Sequence, residues 1–568
     1  MGPPTLQTLP PELQVAIIDY ITRPTDLKNL CLTSRAVRNT ATPHLYREVS
    51  IDLRTCKYPL LHGFFRPSNF GQKLVRKLSF QPCSETAVPD EDWDNALRVV
   101  RFTLGILPRD ALLELRCVSP HLLDTECQLT LRGLPWNFRG DLDLLLLIAT
   151  RQRRIVALRL AAAVTTLDDA LSSPICPAGW LTDLKTLSVT GNLMDMSSIR
   201  GYAQIIRQAR SLENLSLNLS GTQDFFLVDN LQDCAQSNGE LATTLFGHIV
   251  SFGAEEPLVL QQVRLSGVCL SWADRTFARI IDFCRLSSLA VIDCEGANVL
   301  LNQLADRFGR DGCALRRFQF ASSWPFPAQD MCAFLRSWSG LETLAVTCTA
   351  DPADVFDLRC LDSHFPSLKV LSLDPYDLDE DRITEIRAGE SAIDLITSKG
   401  SILRELGVTL PAADLYLPEG YAGSDMAYPA SLESLIRLPD LGLLCLGDWP
   451  VAPASLFSGS IPALDDSGDS GELQELNNTR YFALMDRYAT RLLSHIAEVR
   501  NGAGLGRLAM LCFGSIWAYE LGSDKRLEVG QQCYLPGTET DVYGLARVRA
   551  IRMSKKEVKW VEGADNLF

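Results

Sequence analysis

Residues 465–476 hold the patterns most suggestive of chemistry. Gly468-Asp469-Ser470-Gly471 spells the tetrapeptide around a serine-protease nucleophile, but such a serine acts only with a base in hydrogen-bond reach and an oxyanion hole. The chain has six histidines, His44, His62, His121, His248, His364 and His495, and no spacing pairs one of them with this acidic stretch. Read as a calcium loop from Asp465 to Leu476, the same stretch puts Ser470 where glycine is needed and Leu476 where the bidentate glutamate belongs. No GxxxxGKS/T, HExxH or CxxC occurs. The sequence therefore predicts a protein without cofactor or metal that is not an enzyme. An enzyme hidden in residues 440–568 is the distant alternative.

The 17 cysteines run from Cys31 to Cys533, odd in number and never in a CxxC pair. That pattern predicts reduced thiols packed as small hydrophobes in the cytoplasm or nucleus. Cys284 and Cys294 are close in sequence, and packing is the expected role for both. The net charge of −15 argues against nucleic acid as a partner. The basic pieces 151–154 and 547–559 read as solvated faces. The longest apolar runs, such as Leu142 to Ala149, are far shorter than the ~20 residues of a membrane helix. Residues 1–25 lack a charged start followed by an apolar run, so an unanchored intracellular protein is expected.

The elements that must position any site are repeats. A pattern LxxLxL, with Val, Ile, Phe or Met substitutions, recurs at Ile155-Leu158-Leu160, Leu184-Leu187-Val189, Leu212-Leu215-Leu217, Leu260-Val263-Leu265, Leu286-Leu289-Val291 and Leu315-Phe318-Phe320. It continues at Leu341-Leu344-Val346, Leu368-Leu371-Leu373, Leu403-Leu406-Val408, Leu441-Leu444-Leu446 and Leu505-Leu508-Met510. Weaker copies stand at Val75-Leu78-Phe80 and Leu112-Leu115-Cys117. Successive spacings from Leu184 are 28, 48, 26, 29, 26 and 27, the 48 marking an insertion. Alternation within a copy predicts a short strand. The stripes between copies, such as Ile199, Tyr202, Ile206 and Ala209, or Phe277, Ile280, Ile281 and Cys284, predict a helix. One strand–helix unit leaves apolar surface uncovered, so the units must stack.

Residues flanking the last two leucines of a copy point away from the leucine side. Most are small or polar. Candidates for binding a protein target are Asn214, Asn218, Gln262, Arg264, Arg317, Gln319, Asp374 and Glu405. Insertions at 221–258, 375–400 and 412–430 are the alternative recognition elements. Residues 452–473, rich in Pro, Ser, Gly and Asp, read as a flexible loop before an amphipathic helix from about Leu473 to Arg500.

Before the repeats, prolines at Pro10 and Pro11 suit a first helical turn, followed by a stripe at Leu13, Ile17 and Ile21. Thr25 suits the cap of a second short helix carrying Leu27 and Leu30. Thr33 or Ser34 suits the cap of a third, running through Val37 toward Ala41. Three short helices make too small a core to stand alone, so part of their apolar surface is expected to meet a partner.

The LPxEL opening at Leu9 to Leu13, Asp26-Leu27, Leu30-Cys31-Leu32-Thr33-Ser34-Arg35 and Ala41-Thr42-Pro43-His44-Leu45-Tyr46 resemble the F-box family in its fungal variety, over residues 6–50. Residues 70–515 resemble leucine-rich-repeat proteins, with the loop at 452–473 as an insertion and 516–568 as a C-terminal cap. The implied fold is α/β, a leucine-rich-repeat solenoid with an N-terminal three-helix F-box module. The implied function is substrate recognition for an SCF-type cullin–RING ubiquitin ligase, the F-box docking a Skp-type adaptor and the repeats binding a protein target. Leu9, Pro10, Leu13, Ile17, Ile18, Leu27, Leu30 and Val37 are the candidates for the adaptor surface and its support. The alternative is a repeat scaffold acting outside ubiquitination.

Overall fold

The computed structural model describes residues 6, 9–21, 23–52, 63–66, 68–81, 90–117, 142–161, 179–190, 196–218, 257–268, 270, 281–322, 326–348, 357–375, 390–408, 430–446, 470–514, 532–540 and 545–553. The chain is a mixed α/β protein with two compact units, Met1–Trp272 with Arg279–Asp282, and Ala273–Ala278 with Phe283–Phe568.

The first unit opens with α1 (Pro11–Asp19), α2 (Pro24–Thr33) and α3 (Arg35–Arg47). Strands then follow in chain order, each parallel to the next: β1 (Glu48–Asp52), β2 (Lys77–Gln81), β3 (Glu114–Cys117), β4 (Ala157–Ala161), β5 (Thr186–Thr190), β6 (Asn214–Asn218) and β7 (Gln262–Ser266). A 3-10 turn (Phe70–Leu74), α4 (Asp90–Ile106), α5 (Leu142–Arg151) and α6 (Met196–Gln208) lie between strands.

The second unit repeats the scheme. Its parallel strands are β8 (Ser288–Ile292), β9 (Arg317–Ser322), β10 (Thr343–Cys348), β11 (Val370–Pro375), β12 (Glu405–Val408), β13 (Leu443–Leu446) and β14 (Met510–Phe513). Between them come α7 (Ala297–Asp311), α8 (Ala328–Arg336), α9 (Glu390–Lys399), α10 (Ala430–Ile436) and α11 (Ser470–Gly502). The parallel run ends with β15 (Gln532–Thr540) and β16 (Ala546–Met553), which pair antiparallel.

The leucine motif explains this order. Its apolar positions are buried in copy after copy: Leu184, Leu187 and Val189 are all at 0% exposure, as are Leu289 and Val291. A second rule comes from the backbone. The residue just before a strand offers its carbonyl to two successive N–H groups of the next copy: Val156 O to Lys185 and Thr186, Lys185 O to Glu213 and Asn214, Glu342 O to Lys369 and Val370, Arg404 O to Gly442 and Leu443. Each copy thereby satisfies the strand-entry donors of its successor, as buried backbone requires.

The register corrects two readings of the motif. Leu444 and Leu446 face Leu511 and Phe513, so the last copy is Leu508-Leu511-Phe513, three residues beyond Leu505-Leu508-Met510. An additional copy, Tyr46-Val49-Ile51, starts the ladder, because β1 follows α3 directly and pairs with β2. Tyr46 also packs α3 against the 3-10 turn before β2, so closely that a Cβ on Gly71 would clash with its ring.

The expected cap of α3 is Ser34, whose side chain accepts from the Val37 N–H at 3.2 Å. Helix α2 starts at Pro24 with Arg23 as N-cap and no side-chain cap, so Thr25 does not serve. Tyr202, Ile206 and Ala209 are buried, and the predicted C-terminal helix is α11. The insertion at 221–256, residues 409–429, the loop at 451–469 and most of 516–568 lie outside the described residues.

Candidate functional site

Helix α1 divides the adaptor candidates. Ile18 is fully buried and packs with Leu27 and Ala41, flanked by Ile21, Leu30 and Leu45. Val37 is buried as well. Ile18, Leu27 and Val37 are therefore core, and among the eight candidates they belong to the support rather than to the surface. Leu30 and Leu9 are half-buried and Pro10 is exposed.

Leu13 and Ile17 are 51% and 42% exposed, and Tyr20, three residues on, is 87% exposed. These positions share one side of a helix. Val15 and Leu32 are exposed too. The inward position is taken by a polar residue that sequence reasoning missed, Gln14. Its Nε2 donates to Leu9 O at 2.8 Å, and its Oε1 accepts from Thr40 Oγ1 at 3.3 Å. His44 Nδ1 lies 3.0 Å from Asp19 Oδ1, a second tie between α1 and α3.

The strand face away from the leucines differs between units. In the first, charges meet at one end: Glu48, Lys77 and Glu114 share a register row on β1, β2 and β3, and Arg116 and Arg159 share the row two residues on. Glu114 is the floor of this group. It takes a close ion pair from Arg116, with Lys77 Nζ at 3.4 Å and Arg159 Nε at 3.7 Å, while Glu48 lies 4.0 Å from Arg116. Burial alone would raise the Glu114 pKa, but the hydrogen bond from Arg116 and the charges of Arg116, Lys77 and Arg159 bring it below its ordinary value. Burial, then the neighbouring Arg116, lowers the pKa of Arg159.

The motif holds a signal for this group: the positions flanking the last two apolar residues of Leu112-Leu115-Cys117 and Ile155-Leu158-Leu160 include Glu114, Arg116 and Arg159, and only the pairing of β3 with β4 brings them together. Farther along the unit, Asn214 and Asn218 are half-buried, Arg264 is half-buried and Gln262 is exposed. Asn214 Nδ2 donates to Thr186 Oγ1 at 3.1 Å.

In the second unit much of the same face is buried. Val370, Leu443, Cys445, Met510, Cys512 and Cys533 form one buried cluster, with Leu535 and Met553 against it. Ile292, Ala321 and Ala345 form another. Arg317 is exposed and Gln319 half-buried, but Glu405 is only 5% exposed and is corrected from target contact to interior residue. The side chain of Asp374 lies outside the described residues.

The protease-like and calcium-like patterns gain no geometry. Ser470 begins α11, and a helical path from Ser470 through Leu476 does not wrap an ion; Gly468 and Asp469 lie outside the described residues. Among the described residues, no group of three His, Cys, Asp or Glu is arranged to hold a metal, and no helix is long and apolar enough to cross a membrane. Nine cysteines among the described residues, from Cys31 to Cys533, are free thiols. Comparison of the chain with models of known protein families and with curated proteins finds no match.

Proposed function

We propose that this chain is a non-catalytic receptor subunit of an SCF-type cullin–RING ubiquitin ligase: α1 to α3 dock a Skp-type adaptor, and a leucine-rich-repeat solenoid holds a protein target. The observation that carries this reading is the pair of stripes on α1. Gln14 and Ile18 close a small core, while Leu13, Ile17 and Tyr20 stay in solvent on a module otherwise consistent with the F-box resemblance. Exposed apolar side chains grouped on one helix mark a protein contact. Ubiquitin transfer then needs only proximity from this chain, and no acid, base or nucleophile.

The test is a pull-down of the full-length protein with a recombinant Skp-type adaptor, comparing wild type with Leu13→Glu and Ile17→Glu. Both variants should lose the adaptor with little change in Tm, because neither side chain is buried. Failure of the intact, folded chain to bind, or normal binding by both variants, overturns the proposal.

The second reading is a repeat scaffold whose helices serve only as a cap. The Tyr46–Gly71 approach favours it, since it packs α3 against the 3-10 turn that leads into β2. A module that is only a cap would give a folded wild-type chain that captures no adaptor.

A further inference from the structure

We propose that the target of this chain carries an acidic, carboxylate-bearing segment that docks on the strand face of the first unit, between Arg116 on β3 and Arg159 on β4. The inference rests on the receptor reading and deepens it by naming the partner's chemistry.

The charges supply the argument. Lys77, Arg116 and Arg159 surround Glu114, whose side chain is 11% exposed, while Lys77 and Arg159 are 39% and 45% exposed. The anion is therefore the floor and the cations are the rim. Counting Glu48 as well, three cations face two carboxylates, leaving one positive charge at the surface of a chain whose net charge is −15. Arg116 and Arg159 are also register neighbours on adjacent parallel strands, which are ~4.8 Å apart. Glu114 pairs with both guanidinium groups from beneath, and a second carboxylate at the rim would balance the remaining positive charge and receive charge-assisted hydrogen bonds there.

The row continues as Ser188 and Ser216, both half-buried, which offers hydroxyls to an extended chain lying beyond the arginines. The row of Arg116 and Arg159 has its counterpart in the second unit at Ala290, Gln319, Ala345, Ser372, Gly407, Cys445 and Cys512, of which Gln319 alone is partly exposed.

The probe is a fluorescein-labelled peptide of alternating Glu and Ser, titrated with full-length protein and followed by anisotropy. Companion peptides replace Glu by Gln, or carry phosphoserine among Gln. Wild type should bind the Glu peptide, and more weakly as salt rises. Arg159→Glu should weaken it by about tenfold or more. Arg159→Gln, which adds no charge beside Glu114, should give part of that loss with an unchanged melting curve. Arg310→Glu, an exposed change on α7 of the other unit, should leave binding as it was.

Equal affinity for the Glu and Gln peptides, or an equal loss with Arg310→Glu, overturns the proposal. Preference for the phosphoserine peptide over the Glu peptide overturns the carboxylate as occupant. Adaptor capture by Arg159→Glu should be intact, so loss of peptide binding and loss of adaptor binding report separately on this inference and on the receptor reading.

Discussion

Midway along their strands the two units place different side chains opposite the leucines. The first has Ser79, Arg116, Arg159, Ser188, Ser216 and Arg264, all at least partly exposed. The second has Ala290, Gln319, Ala345, Ser372, Gly407, Cys445 and Cys512, buried except for Gln319. Both keep the same leucine ladder and the same carbonyl staple between copies. The repeat constrains one side of a strand and leaves the other free to diverge, so a partly open polar row and a mostly buried one develop from the same motif. Strands of the second unit that are buried on both faces read as continuous apolar runs, LLCL and MLCF, as parallel strands do when covered on both sides.

The sharpest break of this comparison is a charge placed at the same row in each unit. Cys445→Asp on β13 should cost about 4 kcal/mol or more, because it buries a carboxylate in an apolar cluster. Ser188→Asp on β5 should stay within about 0.5 kcal/mol, since its site is half-open and its register neighbour is Arg159. Urea midpoints of the full chain measure both. Similar costs would mean that the two faces are equally covered and that no polar surface distinguishes the first unit.

A second contrast lies beneath the leucine ladder. In the first unit Gln152 is fully buried; its Oε1 accepts from the Leu112 N–H at 3.0 Å and its Nε2 donates to Pro108 O at 3.0 Å. In the second, His364 does the same work: Nδ1 accepts from the Leu341 N–H at 3.2 Å and Nε2 donates to Leu335 O at 2.8 Å. Leu112 and Leu341 are both first leucines of their copies. The bonds require the neutral Nε2–H form, and burial pushes the His364 pKa down, the Leu335 bond opposing it.

The unfolded imidazole, with a pKa of about 6.5, binds a proton that the folded one refuses. Stability from this site is therefore complete above about pH 6.5 and declines as the pH falls below it. His364→Gln should flatten that decline, and Gln152→His should add one to the other unit, read as urea midpoints at a series of pH values. A decline that persists in His364→Gln would assign it elsewhere.

The fold was legible where one motif position does one job. Each leucine of copies such as 341–346 and 403–408 lies where alternation put it, because a buried strand face has period two. The last copy was misread by three residues because Leu505, Leu508 and Leu511 all fit the spacing, and only pairing with β13 selects between them. The exposed side of α1 was half legible. Leu13 and Ile17 were recognised as one stripe, but amphipathic reasoning does not anticipate that Gln14 takes the inward position, its amide satisfied by Leu9 O and Thr40. Glu405 looked like a contact residue because its copy alternates, yet β12 is buried along its length.

The smallest effect tests where the units should agree. The residues that precede strands form ion pairs along the copies in both: Lys185 Nζ to Glu213 at 2.7 Å in the first, and Glu342 between Arg316 and Lys369, the latter at 2.7 Å, in the second. Hydrogen bonds from Lys369 and Arg316 lower the Glu342 pKa. Its contribution is then present above the unfolded carboxylate pKa and is lost as the pH falls through the lower folded value. These side chains are largely in water, so Glu213→Gln and Glu342→Gln should each cost less than about 1 kcal/mol, and less still at high salt. If Glu342→Gln alone proved costly and insensitive to salt, the units would differ at their strand entries as well as their faces. Equal small costs would confine the difference to the row of side chains that stays partly open in one unit and is mostly buried in the other.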